Sequence, residues 1–367
     1  MAKGKKRKES PIRKLMKPQK VAIPIVIGVL AAAFMVYRGW DAKAFNNINW
    51  NTSTYLFLLI AFIMVALRDF GYMVRLRILT DKKISWRNAF DIIMLWEFSS
   101  AVTPSVVGGS GVAIFILNKE GLSVGRSTAV VMTTAFLDEL FYVLMVPMLL
   151  LVVGTETLFP VELQKEFFGI TLGTQDIFWV GYGFIILLIS LILFGIFISP
   201  IKFKMLLVNV FKLPFLKRWA KAAHETGDEV ITTSKELRGK PISFWLKSFV
   251  ATFLSWTARY WVTNFLLLAF ATGVISVNDH MLIYARQLVM WVIMLISPTP
   301  GSAGVAELAF EQFLKDFTPF GLAVALGLLW RLFTYYPYLF MGAIVLPGWI
   351  QRVYLGRKLI KFKDPES

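Results

Sequence analysis

An all-α polytopic membrane fold, assembled from two inverted repeats that each carry a re-entrant helical hairpin broken by Pro and Gly, is what two features of this sequence predict. The first is apolarity. Of 367 residues 57% are hydrophobic, and Ile177 to Ile198 runs without one charge, long enough to cross the ~30 Å hydrocarbon core of a bilayer. The second is duplication. Pro104-Ser-Val-Val-Gly-Gly-Ser-Gly-Val-Ala113 has a near copy in Pro298-Thr-Pro-Gly-Ser-Ala-Gly-Val-Ala-Glu307. A shift of 193 positions lays Gly108, Gly111, Val112 and Ala113 on Gly301, Gly304, Val305 and Ala306, and carries Asp138 onto Arg331 and Tyr142 onto Tyr335. Unwound backbone at bilayer depth is tolerated only where protein or a cavity covers it, so two such segments in matching halves point to the binding site of a carrier. Surface turns between short helices are the plainer alternative; two copies at one constant offset argue against it.

The net charge of +16 would suit nucleic acid, but its placement reads as membrane orientation instead. Residues 1–20 hold nine Lys or Arg against one Glu, a cytoplasmic segment that also suits an anionic membrane surface. Val21 to Tyr37 is the first transmembrane helix, with an outer loop to residue 50; no small-residue cleavage site follows it, so it reads as a retained helix. Residues 51–153 form the first repeat. Thr54 to Leu67 returns inward and continues through Arg68 to Arg77, whose basic side chains are expected to snorkel at the inner surface. The hairpin spans 88–117, each arm about fifteen residues or roughly 22 Å, short for a full span. Ser127 to Val153 then crosses outward.

Residues 154–241 link the repeats: an outer loop with four acids and one Lys, the crossing Ile177 to Ile198, and a basic cytoplasmic loop, Ser199 to Pro241, with nine basic residues against four acidic. Within that loop Ile201 to Ala222 has the mixed pattern of an amphipathic helix lying on the membrane or on the protein. The second repeat, 242–347, holds an outward crossing from Ile242 to Val274, the hairpin 281–314, and one long return helix from Phe320 to Leu346. Residues 348–367, with Arg352, Arg357, Lys358, Lys361 and Lys363, form a basic cytoplasmic tail. Six crossings plus two hairpins make the repeats inverted; eight short spans would leave both termini inside as well but make them parallel. The shortness of the arms favours hairpins.

Ionisable side chains within apolar segments are functional candidates by default, because each costs several kcal/mol unless paired or facing water. They are Glu97, Asp138, Glu139, Arg259, Arg286, Glu307 and Arg331. Arg331 and Asp138 stand at matching repeat positions and suit a pair across the repeat axis. Arg331 and Arg259 suit a lipid phosphate, since guanidinium offers a planar fork to oxyanions, with Asp138 or Glu307 neutralising them between cycles or taking up a proton. A fixed ion pair joining helices is the competing account. Glu97, Glu139 and Arg286 read as interfacial and structural. Half-helices starting just after Gly111 and Gly304 would offer unpaired N–H groups to an anion; Glu307 would either cap its helix or repel an anion, in which case the hairpin tip selects a cationic or zwitterionic head group. Trp256, Tyr260, Trp261, Tyr335, Tyr336 and Tyr338 are either a lipid-chain groove or packing. No cysteine and two isolated histidines, His224 and His280, leave no expectation of a metal or cofactor, and no Gly-x-x-x-x-Gly-Lys-Ser/Thr loop suggests ATP.

Leu254-Ser-Trp-Thr-Ala-Arg-Tyr-Trp261, Pro300-Gly-Ser-Ala-Gly-Val-Ala-Glu307 and Trp330-Arg-Leu-Phe-Thr-Tyr-Tyr-Pro337, with Thr103-Pro-Ser-Val-Val-Gly-Gly109 and Asp138 in the first half, resemble the lysylphosphatidylglycerol synthetase membrane-domain family, also described as flippase-like membrane proteins. The likeness runs from Asn51 to Leu346. It implies an integral protein of a prokaryotic cytoplasmic membrane that moves a phospholipid or isoprenoid-linked lipid between leaflets, a carrier and not an enzyme. Members with synthetase activity carry a large soluble aminoacyl-transferase domain; the longest polar segment here is Ser199 to Pro241, so that activity is expected to be absent. Ser110 to Leu117 lacks the charge expected near the first glycine cluster in relatives, which shifts weight to Glu307 and Arg331. From the residues themselves, substrate binding is expected at Arg331, Arg259, Glu307, Asp138, Gly108, Gly111, Gly301, Gly304 and Tyr335. A lipid-modifying membrane enzyme and a non-catalytic scaffold are the alternatives.

Overall fold

The computed structural model describes residues 50–103, 106–160, 165–167, 170–213, 216–217, 220–271, 273–294, 302 and 304–355. The expected first membrane helix, Val21 to Tyr37, lies outside the described residues, as do both Pro-Gly tips at Pro104 and Pro300 and the tail beyond Leu355.

Helix α1 (Thr52–Leu79) opens on Asn51, whose Oδ1 accepts from the Thr54 N–H at 2.9 Å, a side-chain cap for one of the donors a helix start leaves unpaired. It runs unbroken through Arg68 to Arg77. Helices α2 (Trp86–Val102) and α3 (Val106–Lys119) form the first hairpin, and α4 (Val124–Val153) leaves its open end, capped by Ser123. The segment read as an outer loop contains a short β-hairpin, β1 (Lys165–Phe167) antiparallel to β2 (Ile170–Leu172). Helix α5 (Thr174–Leu193) follows and ends in a π-turn, Phe194–Ile198.

The stretch expected as a basic loop with one amphipathic helix is instead a pair of helices, α6 (Pro200–Val210) and α7 (Ala220–Leu237). Pro200 starts α6 at the position where its missing N–H costs nothing, and α7 packs back on α4, with Thr233 against Met132 and Glu236 against Arg126. Helix α8 (Ile242–Phe270) is the partner of α1. The two approach closely at Gly71, where a Cβ would stand 2.2 Å from Ser255 Oγ, the small-residue contact that lets membrane helices pack without a hydrophobic drive.

The second hairpin is α9 (Val277–Met294) and α10 (Val305–Leu314), the latter closed by a 3-10 turn, Lys315–Phe317. Ser276 and Asp279 cap α9 reciprocally, each side chain accepting from the other's N–H at 3.2 and 2.9 Å. The expected single helix from Phe320 to Leu346 is two, α11 (Ala323–Thr334) and α12 (Tyr336–Ile350), with Tyr335 between them at φ −130°. Pro337 causes the break: it has no N–H to continue the ladder, and it restricts the residue before it.

The chain is thus an all-α polytopic membrane protein, with α1, α4 and α5 together with its π-turn each long and apolar enough to cross a bilayer. Large apolar side chains such as Leu151, Phe184 and Phe62 face outward, where a hydrocarbon solvent makes that favourable. The order long helix, two short helices, long stretch occurs twice. The two hairpins open at opposite ends of α4: the first adjoins its start through Glu120 to Ser123, while Arg286 of the second reaches Thr157 O, just past its end, at 2.9 Å.

Candidate functional site

A cavity of about 340 Å³ sits between the two halves. The closed ends of both hairpins contribute to its wall, Ala101 and Ser110 from the first and Met294 and Ser302 from the second. Around them stand Arg75, Glu97, Asp138, Glu139, Arg259 and Arg331, contributed by five different helices. Trp256, Tyr260, Trp291 and Trp330 supply the apolar side.

Arg331, 6% exposed in the last turn of α11, is ion-paired through Nε to Glu307 Oε1 at 3.1 Å, and its guanidinium lies 3.8 Å from the centre of the Tyr335 ring. Glu307, 5% exposed, has a second task. Its Oε2 accepts from the Gly304 N–H at 2.8 Å, so it caps α10 in the way its position predicts. Gly304 adopts φ +85°, a left-handed turn that favours glycine.

Asp138 is held from two sides: Arg75 of α1 donates to both its oxygens, and Trp256 Nε1 donates to Oδ1 at 2.8 Å. Arg75 also donates to Thr252 Oγ1 at 3.1 Å. The expected Asp138–Arg331 pair therefore does not form, because each has a nearer partner of its own. Arg259, half-buried on α8, lies over the Trp256 ring at 5.1 Å and makes no ion pair among the described residues. Tyr335 lines the cavity and donates to Ala101 O at 3.1 Å.

The glycine expectations fare unevenly. Helix α3 begins at Val106 and not after Gly111, so Gly108 falls in its first turn and Gly111 is an exposed mid-helix position. Close packing requires glycine at Gly109, where a Cβ would meet Ser100 Oγ of α2 at 2.1 Å, whereas a Cβ on Gly111 would meet open space. An anion site at a helix start after Gly111 is thereby removed. Gly301 lies outside the described residues.

Sequence reasoning missed the α1 contribution. Arg68 and Arg75, expected to snorkel, are 3% and 5% exposed. Arg68 Nη2 pairs with Glu97 Oε2 at 2.7 Å and its guanidinium lies between the Tyr72 and Tyr338 rings, while Tyr338 donates to Asp69 Oδ1 at 2.9 Å. The signal was present: Arg68, Tyr72 and Arg75 are spaced i, i+4, i+7, one face of a helix. Only Arg77 behaves as expected, at the helix end over the Trp86 ring. Glu97 and Glu139, read as interfacial, both line the cavity. Arg286 is structural, bonded to Asp316, Phe313 O and Thr157 O. Trp261 stacks on His280 and lies tilted against Phe265, and it is not among the cavity-lining residues.

Fold and site together define a polytopic helical membrane protein with a charged, aromatic-walled chamber between its two halves. The family described as the lysylphosphatidylglycerol synthase TM region matches residues 21–342, and the chain belongs to it. It is also similar to a UPF0104 membrane protein of Archaeoglobus fulgidus, 27% identical over 312 residues that cover 82% of this chain and 89% of that one.

Proposed function

We propose that the protein carries the head group of a phospholipid or isoprenoid-linked lipid between leaflets by alternating access to the central cavity. The observation that carries this reading is Arg259. Arg75 and Arg331 in the same wall are each neutralised by a carboxylate, whereas Arg259 keeps its fork of donors for an incoming oxyanion. About 340 Å³ lies at the lower end of the range of small-molecule sites, roughly 300–1,000 Å³. That is room for a head group, with the chains left in the membrane along the aromatic side. In this reading the lipid is moved and not converted.

The two halves are inverted repeats in this account, supported by hairpins that open at opposite ends of α4. The basic residues Arg77, Lys82, Lys83, Arg126 and Lys240 gather at the open end of the first hairpin. The positive-inside bias then makes that end cytoplasmic, in a prokaryotic inner membrane with both termini on the same side.

Purification in native lipid, with the bound lipids identified for wild type, Arg259→Ala and Arg259→Lys, tests the reading. One anionic or zwitterionic lipid class enriched in wild type and depleted in Arg259→Ala is expected, with partial retention in Arg259→Lys. The same lipid complement in all three would overturn it, and chemical conversion of a labelled lipid by the purified protein would replace transport with enzymology.

A further inference from the structure

Glu139, next to Asp138 on α4, is 7% exposed and lines the chamber. Its Oε2 is fully buried without a hydrogen-bond partner, and neither oxygen takes part in an ion pair among the described residues. Its neighbour Asp138 is saturated by Arg75 and Trp256. A buried acceptor lacking a donor is costly and calls for an explanation in what completes it.

The surroundings narrow the choice. From α1 the titratable groups on this chamber are Tyr72 and Arg75; from α2, Glu97. Helix α8 adds Arg259 and Tyr260, α11 adds Arg331, and Tyr335 and Tyr338 close the α12 side. Helices α3 and α9 present Ser110, Gln287 and Met290, none of them titratable. On other helices packed against α4, the Tyr182 hydroxyl of α5 is taken by Val143 O, and Glu236 of α7 by Arg126 near the start of α4. None of these arginines is bonded to Glu139. A metal ion would need several more oxygen or nitrogen ligands, and no group of three acidic, His or Cys side chains able to hold one occurs among the described residues. A proton needs one oxygen only.

We propose that Glu139 is the proton-binding site through which movement of the lipid is coupled to a proton gradient. Resting on the carrier reading, the cycle has Oε2 take a proton from water when the cavity faces one side and return it to water on the other. One carboxylic acid O–H bond forms and later breaks, and no other co-reactant is needed.

Two measurements separate this from the carrier reading itself. Infrared difference titration of the purified protein reads the carbonyl stretch of a protonated carboxylic acid, whether or not lipid moves. A titrating band in wild type that is absent in Glu139→Gln and shifted in Glu139→Asp is expected; its absence from wild type, or its persistence in Glu139→Gln, overturns the proposal. The second uses vesicles of phosphatidylcholine and phosphatidylglycerol containing a fluorescent phosphatidylglycerol, with the membrane potential clamped. One proton per lipid makes a gradient of about one pH unit worth a leaflet ratio of about tenfold at steady state. Wild type and the exposed control Glu225→Gln should reach it, Glu139→Gln should stay near unity, and Glu139→Asp should recover part. Lipid that moves in wild type without following the gradient overturns the coupling alone; a Glu139 band with no lipid movement overturns the carrier reading and the coupling with it.

Discussion

Glu307 is asked to do two things at once, and substitutions separate them. Its Oε1 neutralises Arg331 and its Oε2 caps α10 at Gly304, with both side chains nearly sealed from solvent. Breaking a buried pair by removing one partner costs about 3–5 kcal/mol. Arg331 borders a cavity that admits water, so the low end, about 3 kcal/mol, is the figure to expect. Loss of the cap adds about 1 kcal/mol. Glu307→Ala should lose both contributions. Glu307→Gln keeps an oxygen for the Gly304 N–H and should be the more stable of the two by about 1 kcal/mol. In the double variant Glu307→Gln/Arg331→Met no charge is left stranded, and replacing a buried pair by apolar groups runs from neutral to stabilising. It should therefore regain most of what Glu307→Gln loses. Denaturant unfolding in detergent, followed by tryptophan fluorescence, reads all three. The reasoning is refuted if Glu307→Ala stays within about 0.5 kcal/mol of a surface change such as Glu225→Ala, or if the double variant is no more stable than Glu307→Gln.

Gly71→Ala should separate α1 from α8 and cost about 1–3 kcal/mol, since its Cβ would meet Ser255 Oγ at 2.2 Å and Ala251 O at 3.2 Å; adding Ser255→Ala should recover part of the loss in the same unfolding assay. Arg352 bonds Asp91 and Glu120 at 2.8 Å each and so ties the π-turn Gln351–Leu355, which follows α12, to both arms of the first hairpin. Hydrogen exchange in Arg352→Ala should quicken at the open end of α2 and α3 and stay unchanged in α9 and α10. Because the chain has no cysteine, Lys83→Cys and Val277→Cys, at the open ends of the two hairpins, report topology directly. A membrane-impermeant maleimide should label them from opposite faces of sealed vesicles, and labelling from one face would remove the inversion. Asp138→Asn should release Arg75 and raise retention of anionic phospholipid on purification, by several-fold or more; reduced retention would show that Asp138 serves the lipid directly.

Much of this architecture was legible because the bilayer imposes lengths and charge placement that one sequence displays. Short arms around a Pro-Gly break, and a Glu three residues past Gly304, each carry a local physical meaning that needs no partner to be read. The partners themselves were not legible. Asp138 and Arg331 correspond by repeat position, but the offset says nothing about which side chains face each other, and α1 lay closer to Asp138 than α11 did. The Arg68–Arg75 stretch conceals its role for a related reason. Basic residues at the end of an apolar run usually mark an interface, and only their i, i+4, i+7 spacing with Tyr72 betrays an inward face. The split at Tyr335 was in principle visible in Pro337, but hydrophobicity continues unchanged through it, and the apolar run outweighed the proline.

The pairing pattern in the wall bears on how such a site could let go of what it binds. A bare cluster of arginines in a low-dielectric chamber would hold a phosphate too tightly to release, since nothing there competes with it. Here Arg75 and Arg331 arrive with resident carboxylates, so an entering oxyanion must displace Asp138 or Glu307 to use them, and the gain is a difference between two similar bonds. A displacement that swings the whole Glu307 carboxylate aside would also uncap α10 at the edge of the second hairpin's break. If the protein is the carrier proposed above, head-group arrival and the conformation of that hairpin would be linked through one carboxylate, and a ligand shifts an equilibrium only by the difference in its affinity for the two states. Glu307 is where that difference would arise: the same side chain that neutralises the site holds the hairpin in the form seen here.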